Sequence, residues 1–177
     1  MKNTRVLFRG HYLCLKKQAH WEYCERNGVG GAVVILALTP DENVLFVEQY
    51  RIPLGARSIE MPAGLIGDTR DFAGESAESA ARRELEEETG YRAGRMRILM
   101  SGPSSAGLSN EIITLAYARD LVRVGPGGGD ASEAIQVHEV PLTECHDWLM
   151  KQAAGGLPID PKVFGGLYWL ERLEHTG

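Results

Sequence analysis

Apolar and polar positions alternate with the period of strands through most of the first half of the chain. Val6 to Arg9, Tyr12 to Lys16 and Trp21 to Arg26 predict three short amphipathic strands, set apart from the longer strands by Gly28-Val29-Gly30-Gly31. Ala32 to Leu38 and Val44 to Gln49 are longer apolar runs joined by Thr39-Pro40-Asp41-Glu42-Asn43, whose turn chemistry predicts a hairpin. Ser58 to Met61 is a short strand ending at Pro62-Ala63-Gly64, and Arg95 to Ser101, Glu111 to Arg119 and Ile135 to Val140 complete the set.

The period changes to that of a helix over about Ser76 to Thr89, with Gly90 where a left-handed C-terminal residue is wanted. Two more helices are expected, over Leu142 to Gln152 and after Asp160-Pro161, an N-cap and first-turn pair. Gly165-Gly166 inside the last one is unfavourable by about 1 kcal/mol per residue against Ala. Strands interrupted by one helix and closed by two predict an α+β fold, an α/β/α sandwich with a mixed sheet. Residues 1–28 read as an N-terminal β-rich extension that needs a partner surface, the main domain or a second subunit, and residues 29–177 as the main domain.

The helix carries a charge pattern that stability alone does not favour. In Arg83-Glu84-Leu85-Glu86-Glu87-Glu88-Thr89-Gly90-Tyr91, four glutamates crowd the C-terminal turn, where the helix dipole is already negative. At about 100° per residue, Ala77, Ala80, Ala81, Glu84, Glu87 and Glu88 share one face, with Leu85 at its edge. Arg82 falls on the opposite face, in position to pair with Glu86. Inward carboxylates require protons, cationic partners or a metal, and a hard divalent cation prefers such oxygen ligands. A solvated acidic face is the alternative.

Composition narrows the classes. With 177 residues, 44% hydrophobic and 24% charged, the chain fits one globular domain with a sizeable core. A net charge of −5 argues against general nucleic-acid or anionic-membrane binding, though a metal can reverse the sign locally. Cys14, Cys24 and Cys145 lack ligand spacing and read as reduced thiols; the five histidines show none either. The N-terminus lacks the apolar core of a signal peptide, and Ala32 to Leu38 is too short to span a bilayer, so a cytoplasmic protein is expected.

From Glu75 through seven residues to Arg83-Glu84-Leu85-Glu86-Glu87-Glu88-Thr89-Gly90-Tyr91, every specified position resembles the Nudix hydrolase signature: Gly, five residues, Glu, seven residues, Arg-Glu-apolar-any-Glu-Glu-any-Gly-apolar. One departure stands out. Ten residues separate Gly64 from Glu75 where that pattern has five, so the stretch from Ile66 to Phe72 should bulge as a loop before the helix. Glu48-Gln49-Tyr50-Arg51, Glu60-Met61-Pro62-Ala63-Gly64-Leu65 and the stretch from Asp130 to His138 resemble the branch that cleaves ADP-ribose and nucleoside diphosphate sugars.

The resemblance implies Mg²⁺, with Mn²⁺ possible, and commonly a homodimer that exchanges N-terminal strands. It makes the Ala63 carbonyl, Glu84, Glu87 and Glu88 metal ligands, and pairs Arg83 with Glu75 structurally, with Gly64 and Gly90 shaping the motif. The general base is expected on the glycine-rich lid after Gly125, as Glu133, with Glu87 and Glu111 as substitutes. Arg51 resembles a phosphate contact but also suits a salt bridge. Glu60 either orients the metal loop or is an ordinary strand carboxylate. Trp21 and Tyr23 suit nucleobase stacking or an interface. The implied activity is metal-dependent hydrolysis of the pyrophosphate of a nucleoside diphosphate sugar. ADP-ribose, giving AMP and ribose 5-phosphate, leads; GDP-mannose or another nucleotide sugar comes second, and a non-catalytic sensor is the alternative from another class.

Overall fold

The structure, a computed structural model, describes residues 4–67, 71–129 and 134–174. Its centre is β4 (Ala32–Ala37), whose two faces are both buried. Val34 and Leu36 face one apolar core, with Val44 and Phe46 of β5 (Asn43–Arg51) and Ile59 of β6 (Ala56–Glu60). Helices α2 (Cys145–Ala154) and α3 (Lys162–Glu174) close that core through Cys145, Leu149, Val163, Leu167 and Leu170. Val33, Ile35 and Ala37 face the other, where Ala80, Ala81 and Leu85 of α1 (Ala77–Thr89) cover them. Helices on both faces of the strands explain why β4 reads as one apolar run instead of alternating. The result is the α/β/α sandwich that the element order predicts.

Two sheets share the middle layer. One has the order β7-β4-β9-β8, with β7 (Ala63–Leu65), β8 (Tyr91–Pro103) and β9 (Ile112–Arg123); β4 and β9 are parallel and the other pairs antiparallel. The other is antiparallel, β10-β5-β6, with β10 (Gln136–Pro141). The expected hairpin between the two longest apolar runs is therefore corrected. Its turn exists, with the Thr39 N–H donating to the Asn43 carbonyl at 2.9 Å, but beyond the Leu38–Val44 bridge the strands diverge into different sheets. The pairing available to β4 from β7 and β9, and to β5 from β6 and β10, outweighs that of the local hairpin.

Helix α1 begins at Ser76, whose side chain accepts the Ser79 N–H, and ends at Gly90 with φ 74°. Helix α2 starts three residues later than its apolar pattern, after a 3₁₀ turn over Leu142–Glu144. The Gly165-Gly166 pair has a packing reason: a Cβ on Gly166 would lie 2.7 Å from both Leu36 and Met61 side chains. Glycine there brings the axis of α3 close to β4.

The N-terminal strands β1 (Thr4–Arg9), β2 (Leu13–Gln18) and β3 (Trp21–Arg26) form their own antiparallel sheet. It docks on the loop between β8 and β9 through Cys24 N–H to Leu108 O at 2.8 Å, Asn110 to Glu25 at 2.7 Å and Arg26 to Glu111 at 2.6 Å. Val6, Phe8, Tyr12, Leu13 and Trp21 remain exposed. Among the described residues no helix is long and apolar enough to cross a membrane.

Candidate active site

The acidic end of α1 opens into a cavity of about 560 Å³ between β7, β4, the β8–β9 loop and the start of α3. Its wall carries Glu60, Glu84, Glu87, Glu88 and Glu111 together with Arg26, Arg51, Arg83 and Lys162. Strand β7, which the sequence pattern hides in the Pro62-Ala63-Gly64 stop, forms the floor facing α1.

The carboxylates differ in environment. Glu88 is buried and accepts the Ala63 N–H at 2.9 Å. Glu84 reaches across to Gly64, where it fills the space a side chain would need. Glu87 is a correction to the helical-face expectation: its side chain is 51% exposed, at the cavity rim, while Leu85 is fully buried instead of marginal. The helix packs its Ala80–Ala81–Leu85 ridge on the sheet, which rotates Glu87 outward. Arg82 likewise pairs with Glu78 at 2.9 Å and the Ala93 carbonyl at 2.7 Å, leaving Glu86 to Arg92.

Arg83 ties this end of the helix together. Its Nη2 donates to Glu75 at 2.9 Å and to the Leu65 carbonyl at 3.2 Å, and its Nη1 donates to Glu84 at 2.8 Å and Glu87 at 3.1 Å. The ring of Phe72 lies 4.3 Å from its guanidinium carbon. Burial lowers the affinity of Arg83 for its proton, but Glu75 and Glu84 outweigh this and raise its pKa above the ordinary value. For Glu75, burial pushes the carboxyl up, yet Arg83 and the Gly67 N–H hold it below the usual range.

Arg51 and Glu60 form a bidentate pair, with both N–O distances 2.7 Å, and Ser58 donates to the same carboxylate at 2.5 Å. Burial pushes the Glu60 carboxyl up, and these partners outweigh it, so the pKa falls below the ordinary range. Arg51 still borders the cavity.

The glycine-rich segment is not a free lid at its start. Gly128 N–H donates to the Glu88 carbonyl at 2.8 Å and Gly129 N–H to the Glu87 carbonyl at 3.1 Å, so the run caps the C-terminus of α1. Glu133 itself lies outside the described residues. Glu111 faces the cavity, held by Arg26. Trp21 does not line the cavity; its indole N–H donates to the Gly107 carbonyl at 3.2 Å.

A NUDIX domain model matches residues 29–158. The chain belongs to the NUDIX domain family. Within this NUDIX domain fall β4 through α2 and every cavity residue except Arg26 and Lys162. The chain is 37% identical over 123 residues to the methanol dehydrogenase activator of Bacillus methanolicus, covering 69% of this chain and 64% of that protein. It is 36% identical over 115 residues to the ADP-ribose pyrophosphatase of Bacillus subtilis (strain 168), covering 64% of this chain and 60% of that protein. The chain thus spans less than two thirds of the length of these two relatives. In fold it is similar to the crystal structure of an ADP compounds hydrolase, with a TM-score of 0.75, 21% identity and coverage of 99% of this chain and 94% of that one.

Whether the NUDIX carboxylates suit a divalent cation can be judged from the donors. Among the described residues no three His, Cys, Asp or Glu side chains stand close enough together to enclose an ion as they are placed. Glu87 stands at the rim, and Arg83 bridges it to Glu84. That bridge is itself informative, because the carboxylate pair already draws a cation between its members. Carboxylate oxygens beside a cavity with room for a phosphate chain are the donor chemistry of a hard ion. The residues fit such a group.

Proposed function

We propose that the chain is a metal-dependent hydrolase of the pyrophosphate bond of nucleoside diphosphate sugars, with ADP-ribose as the leading substrate and AMP and ribose 5-phosphate as products. GDP-mannose or another nucleotide sugar is the runner-up. The observation that carries this reading is the meeting of the α1 carboxylates with Arg26, Arg51 and Lys162 in one cavity. That combination suits a substrate whose charge is a diphosphate. The family membership and the relatives' names support the same chemistry.

Glu84 and Glu88, one turn apart, would hold Mg²⁺, or Mn²⁺ in its place, with the Ala63 carbonyl and Glu87 completing the ligands. When bound, the ion would neutralise the bridging phosphates and lower the pKa of an attacking water. The chain's own residues do the rest. Arg51 and Arg26 orient the diphosphate, Glu60 fixes the Arg51 guanidinium, and Gly64 leaves room for Glu84. A glutamate, Glu133 or in its place Glu87 or Glu111, accepts the proton of the water. Water adds to one phosphorus and the bridging P–O bond breaks, leaving two phosphomonoesters. Trp21 is assigned to a subunit interface. The exposed Val6, Phe8, Tyr12 and Leu13 are read as covered by a second copy, with residues 1–28 as the dimerisation element.

The test is an assay of phosphatase-releasable phosphate from a panel of nucleotide sugars with Mg²⁺. ADP-ribose should turn over, chelation should abolish the activity, and Glu84→Gln and Glu88→Gln should each lower kcat about 100-fold or more. No turnover of any panel member, with both variants indistinguishable from wild type, sinks the reading. Sedimentation equilibrium tests the dimer, which Phe8→Glu should dissociate.

A further inference from the structure

The connection between Gly64 and Glu75 is the chain's departure from the family spacing, and its two described ends converge on one residue. Gly67 N–H donates to Glu75 Oε1 at 3.0 Å, and the Phe72 carbonyl accepts the Glu75 N–H at 2.9 Å. Phe72 itself belongs to neither apolar core and is 36% exposed. Its ring instead lies over the Arg83 guanidinium, with the ring centre 4.3 Å from the guanidinium carbon.

We propose that Phe72 is a positioning residue: its ring shields the Arg83 guanidinium from water, and so keeps rigid the ion pairs that hold Glu84 in the cavity. The proposal rests on the proposed function, in which Glu84 serves phosphoanhydride hydrolysis.

Three observations carry it. Arg83 Nε is buried without a hydrogen-bond partner among the described residues, a condition that water would relieve if it could enter. An aromatic face is the one kind of neighbour that both excludes water and attracts a guanidinium. Finally, the paired side chains of Arg83, Glu75 and Glu84 are only 15%, 9% and 13% exposed, so their mutual attraction depends on a dry surrounding. An open groove lined by Asp71, Phe72, Gly74, Glu75, Ser79 and Arg83 borders them, and the ring that lies against the guanidinium forms part of its wall.

The experiment compares wild type, Phe72→Ala and Phe72→Tyr by two readouts. The first is solvent exchange of the Arg83 Nε–H, followed by NMR on nitrogen-15-labelled protein. The second is kcat and KM for ADP-ribose with Mg²⁺. Phe72→Ala should accelerate exchange and lower kcat, each by about tenfold, while KM stays within about twofold. Phe72→Tyr, which keeps the ring, should restore both. Unchanged exchange in Phe72→Ala, or a rise in KM alone, overturns the proposal. If the wild type hydrolyses no nucleotide sugar, the reading of the site falls and the positioning role with it, whereas the exchange arm still reports whether the ring seals Arg83.

Discussion

Glu84 occupies the space that a side chain at Gly64 would fill: a Cβ there would lie 1.8 Å from Glu84 Cδ and 2.0 Å from its Oε1. The strand floor and the helix thus meet through a glycine and a carboxylate, and the position of that carboxylate is set by backbone approach. Gly64→Ala should drive Glu84 out of the cavity and lower kcat/KM about 100-fold. Circular dichroism should stay unchanged, because the clash falls on one flexible side chain. Full activity in Gly64→Ala would show that Glu84 has no fixed place in the chemistry.

Much of this arrangement is legible in the chain. The boundaries of α1 follow from Ser76 and Gly90, and its Ala80–Ala81 stripe predicts the packed face that orients the acidic end. The motif from Glu75 to Tyr91 points to the cavity that the fold builds around it. Other features depend on long-range pairing that local pattern does not encode. The turn at Thr39–Asn43 gives a hairpin signal, but the partners of β4 are β7 and β9, which lie far along the chain. Strand β7 is three residues long and contains a glycine, so it carries no periodic signal. Gly125 to Gly129 resembles a mobile lid in composition, yet the Gly128 and Gly129 amides are spent on helix carbonyls. The outward turn of Glu87 reflects how Leu85 seats in the core beside Ala80 and Ala81.

The glycine cap on α1 should be measurable as stability. Gly127 has φ 68°, and a Cβ on it would lie 2.4 Å from the Thr89 carbonyl carbon. Both strain and contact oppose any larger residue. Gly127→Ala is expected to lower the free energy of unfolding by about 1–3 kcal/mol in denaturant titrations. A midpoint equal to wild type would mean that the segment does not cap the helix in solution.

Arg83 holds four acceptors with one planar fork: Glu75, Glu84, Glu87 and the Leu65 carbonyl. A lysine ammonium presents the charge at a single point and cannot span them. Arg83→Ala should destabilise the protein by about 3 kcal/mol, because Glu75 and Glu84 lose a partner while largely buried. Arg83→Lys should recover less than half of that loss. Equal stability of the lysine variant and wild type would show that charge alone, and not the fork, is what the helix end requires.

Acid should weaken this same array. Burial pushes the Glu75 carboxyl up, but its bonds to Arg83 and the Gly67 N–H bring it below the ordinary range, and Glu60 is lowered likewise by Arg51 and Ser58 against its burial. A carboxyl whose pKa is lower folded than unfolded stabilises the fold in full above the unfolded value of about 4.3, and that contribution is lost as pH falls through the folded value. Glu75→Gln removes one such group. At pH 7 the variant should therefore be less stable than wild type, and the two should converge as the pH drops from about 5 toward 2. Denaturant midpoints measured across that range decide the matter: parallel curves for the two proteins would mean that the Glu75–Arg83 pair contributes nothing that depends on the charge of Glu75.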